Sequence, residues 1–510
     1  MPIIQSISEL DLINGYDYIV VGSGSAGSIV AGRLSENPSI SVLLLEAGGD
    51  SSEVADVWDP NQINCLYNDT SIHWGYMMTP QANMNNRVMN CWRAKMTGGC
   101  TSHNDMVYTR GAPADFNDWE NNYGCAGWDY AGVETAFGRV EGMLQPTITV
   151  QNSWSTSFLD ACEAAGIPYN PDYNSGANML GVSPLQSTIT AGNVRQTSYN
   201  AYIAPYLDQR TNLMVVTSVV AKNILFNSEN SATGLHVQID NDTLFVPVSK
   251  EILLCAGAIN SPQILMRSGI GSATDLKQLG IQSVVSDLPG VGANLQDAMI
   301  FIGHWSTAQP IYNQPRNEGY AMVWANMNSD EQPFTCLEMM RGQYTCGQTE
   351  EQLESFYSIS GGMMRLESKG SVTLSSLDLN AKPIINPNLL SAPNDLEQGL
   401  IAFSLMREIG NSPSLAQWRK EETSPGPSVQ SESEIREWLL NNSFTYSHPV
   451  GTCKMGTTEN SVVNSELQVY GVQGVRVIDA SVMPRITSGH TQGPAFMIGE
   501  MGSAMINEGN

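Results

Sequence analysis

Charge and histidine are both scarce in this chain. Charged residues make up 15% of its 510 positions, and histidine occurs six times. The 24 basic residues face 50 acidic ones, for a net charge of −26. Such a surface repels nucleic acid and anionic lipid, so neither is an expected partner. No apolar run approaches the roughly 20 residues needed to span a bilayer. The stretch Met1–Leu12 lacks the basic n-region and apolar core of a signal peptide. Nine cysteines are scattered with no CxxC and no His/Cys cluster. That pattern argues against a disulfide framework and against a metal site, and predicts free thiols in a reducing compartment. The expectation is a soluble cytoplasmic protein without metal, with a homodimer left open as its assembly.

Hydrophobic residues, at 42%, suffice for a large core and about two or three domains. The first half alternates strand and helix signals. Tyr18–Val21 and Val42–Leu45 are short buried strands on either side of a helix over Ser25–Ser35, which predicts a parallel α/β sheet. Residues 50–100 are irregular. Further strands are expected at Leu213–Val220, Ile224–Phe226, Gly234–Gln238, Leu244–Pro247 and Glu251–Cys255, with a helix through Pro262–Met266. Strands at Gly319–Trp324 and Ser371–Leu374 and an amphipathic helix near Leu396–Ile409 mark a change of character over residues 300–440. A strand at Gly474–Asp479 and a helix from Pro494 to Ile506 close the chain. The fold expected is a Rossmann-like domain built from 1–155, 196–298 and 446–510. A substrate-binding α+β domain with an antiparallel sheet is inserted as 156–195 and 299–445.

Between the first strand and helix stands Gly22-Ser-Gly-Ser-Ala-Gly27, and Glu46 follows nineteen residues after Gly27 at the end of the next strand. Gly22 permits a tight turn, Gly24 lets backbone approach a pyrophosphate, and Gly27 lets helix pack on strand. The helix N-terminus then faces the phosphates. Glu46 can accept hydrogen bonds from ribose hydroxyls and disfavours a 2′-phosphate. This loop alone leaves NAD and FAD open.

Two of the six histidines, His448 and His490, sit 42 residues apart in Gly/Pro/Ser-rich turns on either side of a predicted strand. Removing hydride from an alcohol carbon requires its hydroxyl proton to leave. An imidazole with a reference pKa near 6.5 can accept that proton while a second ring donates to the oxygen. A nucleotide cofactor and two imidazoles therefore suggest coupled proton and hydride transfer.

Three long motifs extend this reading. They are Arg93-Ala-Lys-Met-Thr-Gly-Gly-Cys-Thr-Ser-His-Asn104 with Asp115-Phe-Asn-Asp-Trp119, Gly257–Gly271 with Pro289–Asp297, and His448–Gly456 with Asp479–Pro484 and Ile498-Gly-Glu500. In content and order they resemble the glucose–methanol–choline (GMC) oxidoreductases over nearly the whole chain. The resemblance implies FAD and oxidation of an alcohol. It assigns Gly22, Gly24, Gly27 and Glu46 to the ADP half of FAD and Val220 to the adenine. Gly98, Gly99 and Asn104 go to the pyrophosphate and flavin, Asp479 and Ala480 to the pyrophosphate and ribityl chain, and Thr491 and Gln492 to the pyrimidine edge. His448 takes the active-site histidine position, with His490 as its partner. Gly98-Gly-Cys-Thr-Ser-His-Asn-Asp105 is most similar to the choline-oxidising branch, which implies a covalent histidyl–FAD link at His103. The pocket departs from that branch: Ala298-Met-Ile-Phe301 stands where a carboxylate for a quaternary ammonium belongs. Tyr446, Arg341 and Ile300 are the candidate pocket residues, and Arg341 would suit an anionic substrate. The activity implied is oxidation of a small, polar, primary alcohol to an aldehyde with O2 as acceptor. A dehydrogenase using another acceptor, or a non-redox hydroxynitrile lyase, is the alternative.

Overall fold

A computed structural model describes residues 15–312, 321–325, 332–342 and 349–509. Met1–Leu12 and the start of the strand expected at Gly319 lie outside the described residues. Tyr16–Val21 is the centre of the first sheet. Ile19 and Val20 are fully buried, so this strand is apolar on both faces, as a covered parallel strand must be. It pairs in parallel with Val42–Leu45 on one side and with Glu251–Leu254 on the other. Leu213–Val216 extends the first flank, and Val475–Val477 pairs in parallel with Ile252–Leu254.

Two expected strand boundaries change. Leu244–Pro247 and Glu251–Cys255 are one strand, Asp242–Leu254, which changes partner midway. Its first half is antiparallel to Ala232–Ile239, itself paired with Val220–Phe226, and its last residues enter the parallel sheet. The strand expected at Leu213–Val220 is broken, because Ser218 adopts φ 60° and donates to Gly48 O at 2.9 Å while Val219 N donates to Glu46 O at 2.9 Å. The chain turns there to wrap the loop after Glu46.

The helix Ser25–Leu34 lies between this sheet and the carboxy-terminal helix Gln492–Glu508. Both are rich in small residues because their backbones touch: a Cβ on Gly499 would stand 3.0 Å from Ala26 O. Glu500, 1% exposed at its side chain, seals the contact. It accepts from Arg33 Nε at 3.0 Å, Arg33 Nη2 at 2.8 Å and Tyr202 OH at 2.8 Å.

The second sheet is antiparallel throughout. Its strands run in the order Arg419–Ser424, Met299–Thr307, Phe356–Met363, Thr335–Arg341, Ala321–Ala325 and Gly181–Pro184, and Phe444–Thr445 also pairs with Met299–Thr307. One face carries Phe301, Gly303, Trp305, Leu337, Met339 and Ile359 and is covered by the helix Pro393–Gly410. The phenyl rings of Phe301 and Phe403 lie 6.0 Å apart, and a Cβ on Gly303 would meet Met406 Sδ at 2.7 Å. The other face carries Trp324, Cys336, Glu338, Ser360 and Gly362, and it turns toward Tyr446: a Cβ on Gly362 would stand 2.9 Å from Tyr446 Cε2.

Residues 50–100 are short 3₁₀ turns, one α-helical turn at Ile63–Leu66 and a hairpin of two-residue strands, in keeping with the irregular stretch expected. Cys65 is disulfide-bonded, which corrects the expectation of nine free thiols; seven other cysteines are free. The error has a physical source, since pairing depends on distance in space and not on spacing in sequence. Among the described residues no helix is long and apolar enough to cross a membrane, and none group as three or more metal-binding side chains.

Removing one member of a buried ion pair strands the other. Arg33→Ala, which leaves the Glu500 carboxylate buried, is expected to cost about 2–4 kcal/mol, read as a lower midpoint in denaturant unfolding with an unchanged slope.

Candidate active site

A cavity of about 380 Å³ runs from the glycine turn to the two histidines. At its nucleotide end the three turn glycines differ in kind. Gly22 has φ +101°, and a Cβ there would lie 2.7 Å from Cys255 O; one on Gly27 would lie 1.9 Å from Gly22 O. Both are closed by protein backbone. Gly24 is open, with Gly99 Cα as its nearest neighbour at 3.8 Å, and it lines the cavity. The helix it begins has no side-chain cap, so its first N–H groups face this space. Gly98 N donates to Ser23 O at 3.0 Å, and a Cβ on Gly99, at φ +52°, would stand 2.7 Å from Gly24 Cα. The two glycine loops are thus in backbone contact and form one cradle.

Glu46 and Val220 line the same end. The Glu46 carboxylate accepts from Ser23 N at 3.0 Å, Ser23 Oγ at 2.6 Å and Gly48 N at 2.8 Å. Burial pushes its carboxyl up, against the pull of those bonds. Asp479 and Ala480 line the middle. Asp479 accepts from Gly257 N at 2.9 Å and Ser261 Oγ at 2.5 Å through one oxygen and from Ser481 N at 2.8 Å through the other. Asn104 donates to Gln492 Oε1, and its own oxygen accepts from Arg195 Nη1 at 3.0 Å.

At the far end the His448 and His490 ring centroids are 5.0 Å apart at 78°. Tyr446 stacks on His448 at 4.9 Å and 10° and meets His490 edge-on at 5.1 Å. Both turns are held by carboxylates far away in sequence. Asp297 accepts the backbone N–H of His448 at 2.8 Å and the hydroxyl of Thr445 at 2.5 Å. Asp115 accepts from Ser488 N at 2.8 Å and from Ala112 N at 2.9 Å, and it pairs with Arg365. Thr109 Oγ1 donates to His490 O at 3.0 Å. Arg93 donates to Ser447 O. Burial first, then His490 and Arg93, hold the His448 imidazole well below its ordinary value of 6.5, so it is a neutral base. Its Nδ1 is buried with no hydrogen-bond partner. His103, 2% exposed, lies farther along the cavity wall, and burial likewise keeps it neutral.

Gly22, Gly24, Glu46, Gly99, His103, Asn104, Val220, Tyr446, His448, Asp479, Ala480, His490, Thr491 and Gln492 therefore share one cavity. Gly27 and Gly98 stand directly behind its wall. Arg341 and Ile300 do not line it. Arg341 pairs with Tyr357 on the helix-covered sheet face, opposite to the face that meets Tyr446. Ile300 pairs with Gly362 on the Tyr446 side and is buried, but it is not part of the cavity wall. Sequence reasoning missed Arg93, Asp115 and Asp297 as site residues although each stood in a motif. Arg195, fully buried and donating to Val57 O at 2.8 Å and Asn104 O at 2.6 Å, carried no motif signal.

Residues 16–300 match the amino-terminal segment of the GMC oxidoreductase family and residues 367–499 the carboxy-terminal segment, so the chain belongs to that family. It is 34% identical to the oxygen-dependent choline dehydrogenase of Rhizobium etli, over 95% of this chain and 94% of that protein. It is 32% identical to choline oxidase of Arthrobacter globiformis, over 99% and 95%. The structure of pyridoxine 4-oxidase from Mesorbium loti superposes with a TM-score of 0.87 at 28% identity, covering 97% of this chain and 99% of that one. The protein is an FAD-dependent oxidoreductase acting on alcohols. The open Gly24–Gly99 cradle and the uncapped helix ends fit that dinucleotide.

A methyl group on Gly99 has only backbone to push against, in a φ region that disfavours side chains. Gly99→Ala is expected to weaken FAD retention by about tenfold to a hundredfold, seen as a lower 450/280 nm absorbance ratio with unchanged far-UV circular dichroism.

Proposed function

We propose that the protein is an oxidase of a small polar primary alcohol, which it converts to the aldehyde, with dioxygen as acceptor and hydrogen peroxide as second product. The observation that carries the reading is the neutral, desolvated His448 in edge contact with His490 at the end of the FAD cavity. Bound FAD supplies the acceptor for the hydrogen leaving the alcohol carbon. His448 takes the hydroxyl proton, and its depressed pKa keeps it ready to do so in mildly acid solution. His490 orients the alcohol oxygen, and Tyr446 keeps water from the pair by stacking on one ring and closing the edge of the other. Gln492 and Thr491 open the carboxy-terminal helix, which lacks a side-chain cap, so its positive end favours negative charge on the pyrimidine edge of the flavin. The remaining cofactor contacts follow the cavity wall: Gly22, Gly24, Glu46 and Val220 for the ADP half, with Gly27 behind them, and Gly99, Asn104, Asp479 and Ala480 for the pyrophosphate and ring, with Gly98 behind them. His103 carries the flavin covalently.

The segments 1–155, 196–298 and 446–510 form the FAD-binding domain, and 156–195 with 299–445 the substrate-binding domain. Every described strand of the parallel sheet falls in the first set and every described strand of the antiparallel sheet in the second, which supports the division. The proposed location is cytoplasmic, which the seven free cysteines favour and the Cys65 disulfide does not.

The sheet face that meets Tyr446 carries Glu338, 3% exposed, two residues along from Cys336, whereas Arg341 belongs to the other face. Glu338 does not line the cavity, so it carries no argument for a charged substituent, and the expectation of an anionic substrate loses its support with Arg341 on the far face. The names of the relatives, which include choline, a cation, favour a cationic substituent instead.

Flavin bleaching, peroxide release and the behaviour of His448 test the reading. Alcohols that bleach the flavin under argon exclude a lyase, and stoichiometric peroxide in air excludes a dehydrogenase that needs another acceptor. His448→Ala is expected to lower kcat/KM about 10²–10⁴-fold with FAD content unchanged, and the wild-type kcat/KM profile to stay flat down through pH 6.5 before falling as His448 protonates.

A further inference from the structure

We propose that His73 is a positioning residue for His103, holding that imidazole edge-on and taking its ring proton when His103 bonds to the isoalloxazine. The inference rests on the histidyl–FAD reading above. His103 ends the turn Gly99–Ser102 and is boxed between two cavity-lining rings, Tyr67 at 5.5 Å and 69° and His73 at 5.0 Å and 71°. These contacts fix the plane of its imidazole.

His73 is itself fixed. Its Nε2 lies 2.9 Å from Leu66 O, and its ring meets Trp92 edge-on at 5.1 Å. A carbonyl only accepts, so Nε2 carries the hydrogen and the neutral ring keeps its lone pair on Nδ1. That nitrogen is buried with no hydrogen-bond partner, as is Nδ1 of His103. The charged or titratable groups that act on His103 are His73, Arg93 and Arg195. Two of them are guanidinium cations that oppose positive charge on His103, and His73 alone can receive a proton. The Tyr67 hydroxyl is held protonated by burial. Burial holds the His73 imidazole below its ordinary value, and the backbone of Leu66 and Arg93, then Asp69, oppose this in the sense that stabilises its protonated form.

The step balances as follows. One C–N bond forms between His103 and a methyl carbon of the isoalloxazine. The carbon gives up one proton to solvent, and His103 gives its ring proton to His73. The electron pair of the broken C–H bond remains on the flavin, and dioxygen, the acceptor proposed for turnover, then removes two electrons.

The test compares purified holoproteins before and after denaturation. Native absorbance gives the FAD bound; in-gel fluorescence and intact mass give the flavin that stays on the polypeptide. Wild type is expected to keep its flavin and His103→Leu to release all of it. His73→Phe keeps an edge-on ring without a base, and His73→Gln keeps a donor to Leu66 O at nearly the same volume. Both are expected to bind FAD natively yet retain about tenfold less or lower still after denaturation. Retention at the wild-type level in a flavin-loaded His73 variant overturns the proposal alone. Release of flavin from wild type overturns the histidyl link, and the proposal with it.

Discussion

Three buried aspartates hold the site together, and each does so through backbone N–H groups. Asp297 takes the amides of Ala298 and His448, Asp115 those of Ala112 and Ser488, and Asp479 those of Gly257 and Ser481. Burial pushes all three carboxyls up, and the amide bonds oppose it. An ionised carboxylate is tolerated inside a protein only when its lone pairs are met in this way. The consequence is geometric: His448 and His490 arrive from separate turns and meet because each turn is tied to a distant strand or helix.

These clamps explain what could and could not be read from the chain. The glycine turn was legible because its constraints are local: Gly22 and Gly27 are excluded from carrying a side chain by atoms within the same βα unit or its neighbouring strand. The carboxy-terminal helix was legible to within two residues at either end for the same reason. The partnership of Asp115 with Ser488, 373 positions away, leaves no local trace. Arg341 shows a second limit. Side chains alternate across a strand, so deciding which face an arginine joins requires the register. Pairing of Arg341 with Tyr357 settles the face, and sequence carries that pairing only weakly. The break at Ser218 shows a third. Leu213–Val220 favours a strand at most of its positions, with five β-branched residues among eight, so propensity runs through a turn at Ser218 that the docking of Gly48 and Glu46 imposes.

The electrostatics of the cavity follow one logic. Arg93 sits between His103 and His448 in influence, lowering the proton affinity of both. Burial does most to keep the two imidazoles neutral, and one guanidinium, fixed by the carbonyls of Trp92 and Ser447, adds to it. The same charge favours an alkoxide-like oxygen near His448, so lowering the base's affinity does not remove the driving force for proton transfer. Both effects grow with desolvation, since charges interact more strongly in a medium of lower effective dielectric.

The overall charge of −26 poses a further problem, because an acidic protein must admit a cofactor that carries a pyrophosphate. The cavity answers it with a local relief of the negative charge, four basic side chains standing against the acidic Glu46, Asp105 and Asp479. Arg93, Lys95, Arg267 and Lys382 line its walls, four of the 24 basic residues in the chain. Lys95 and Lys382 are held near Trp74 and Tyr76 by ring contacts at 5.1 and 5.5 Å. Uncapped helix ends at Ser25 and Gln492 add donors that need no side chain. A field concentrated in a cleft attracts an anion despite a repulsive exterior, because nearby charges outweigh distant ones screened by salt. The acidic surface and the anion-binding cleft are therefore compatible, and the cleft's depth makes them so.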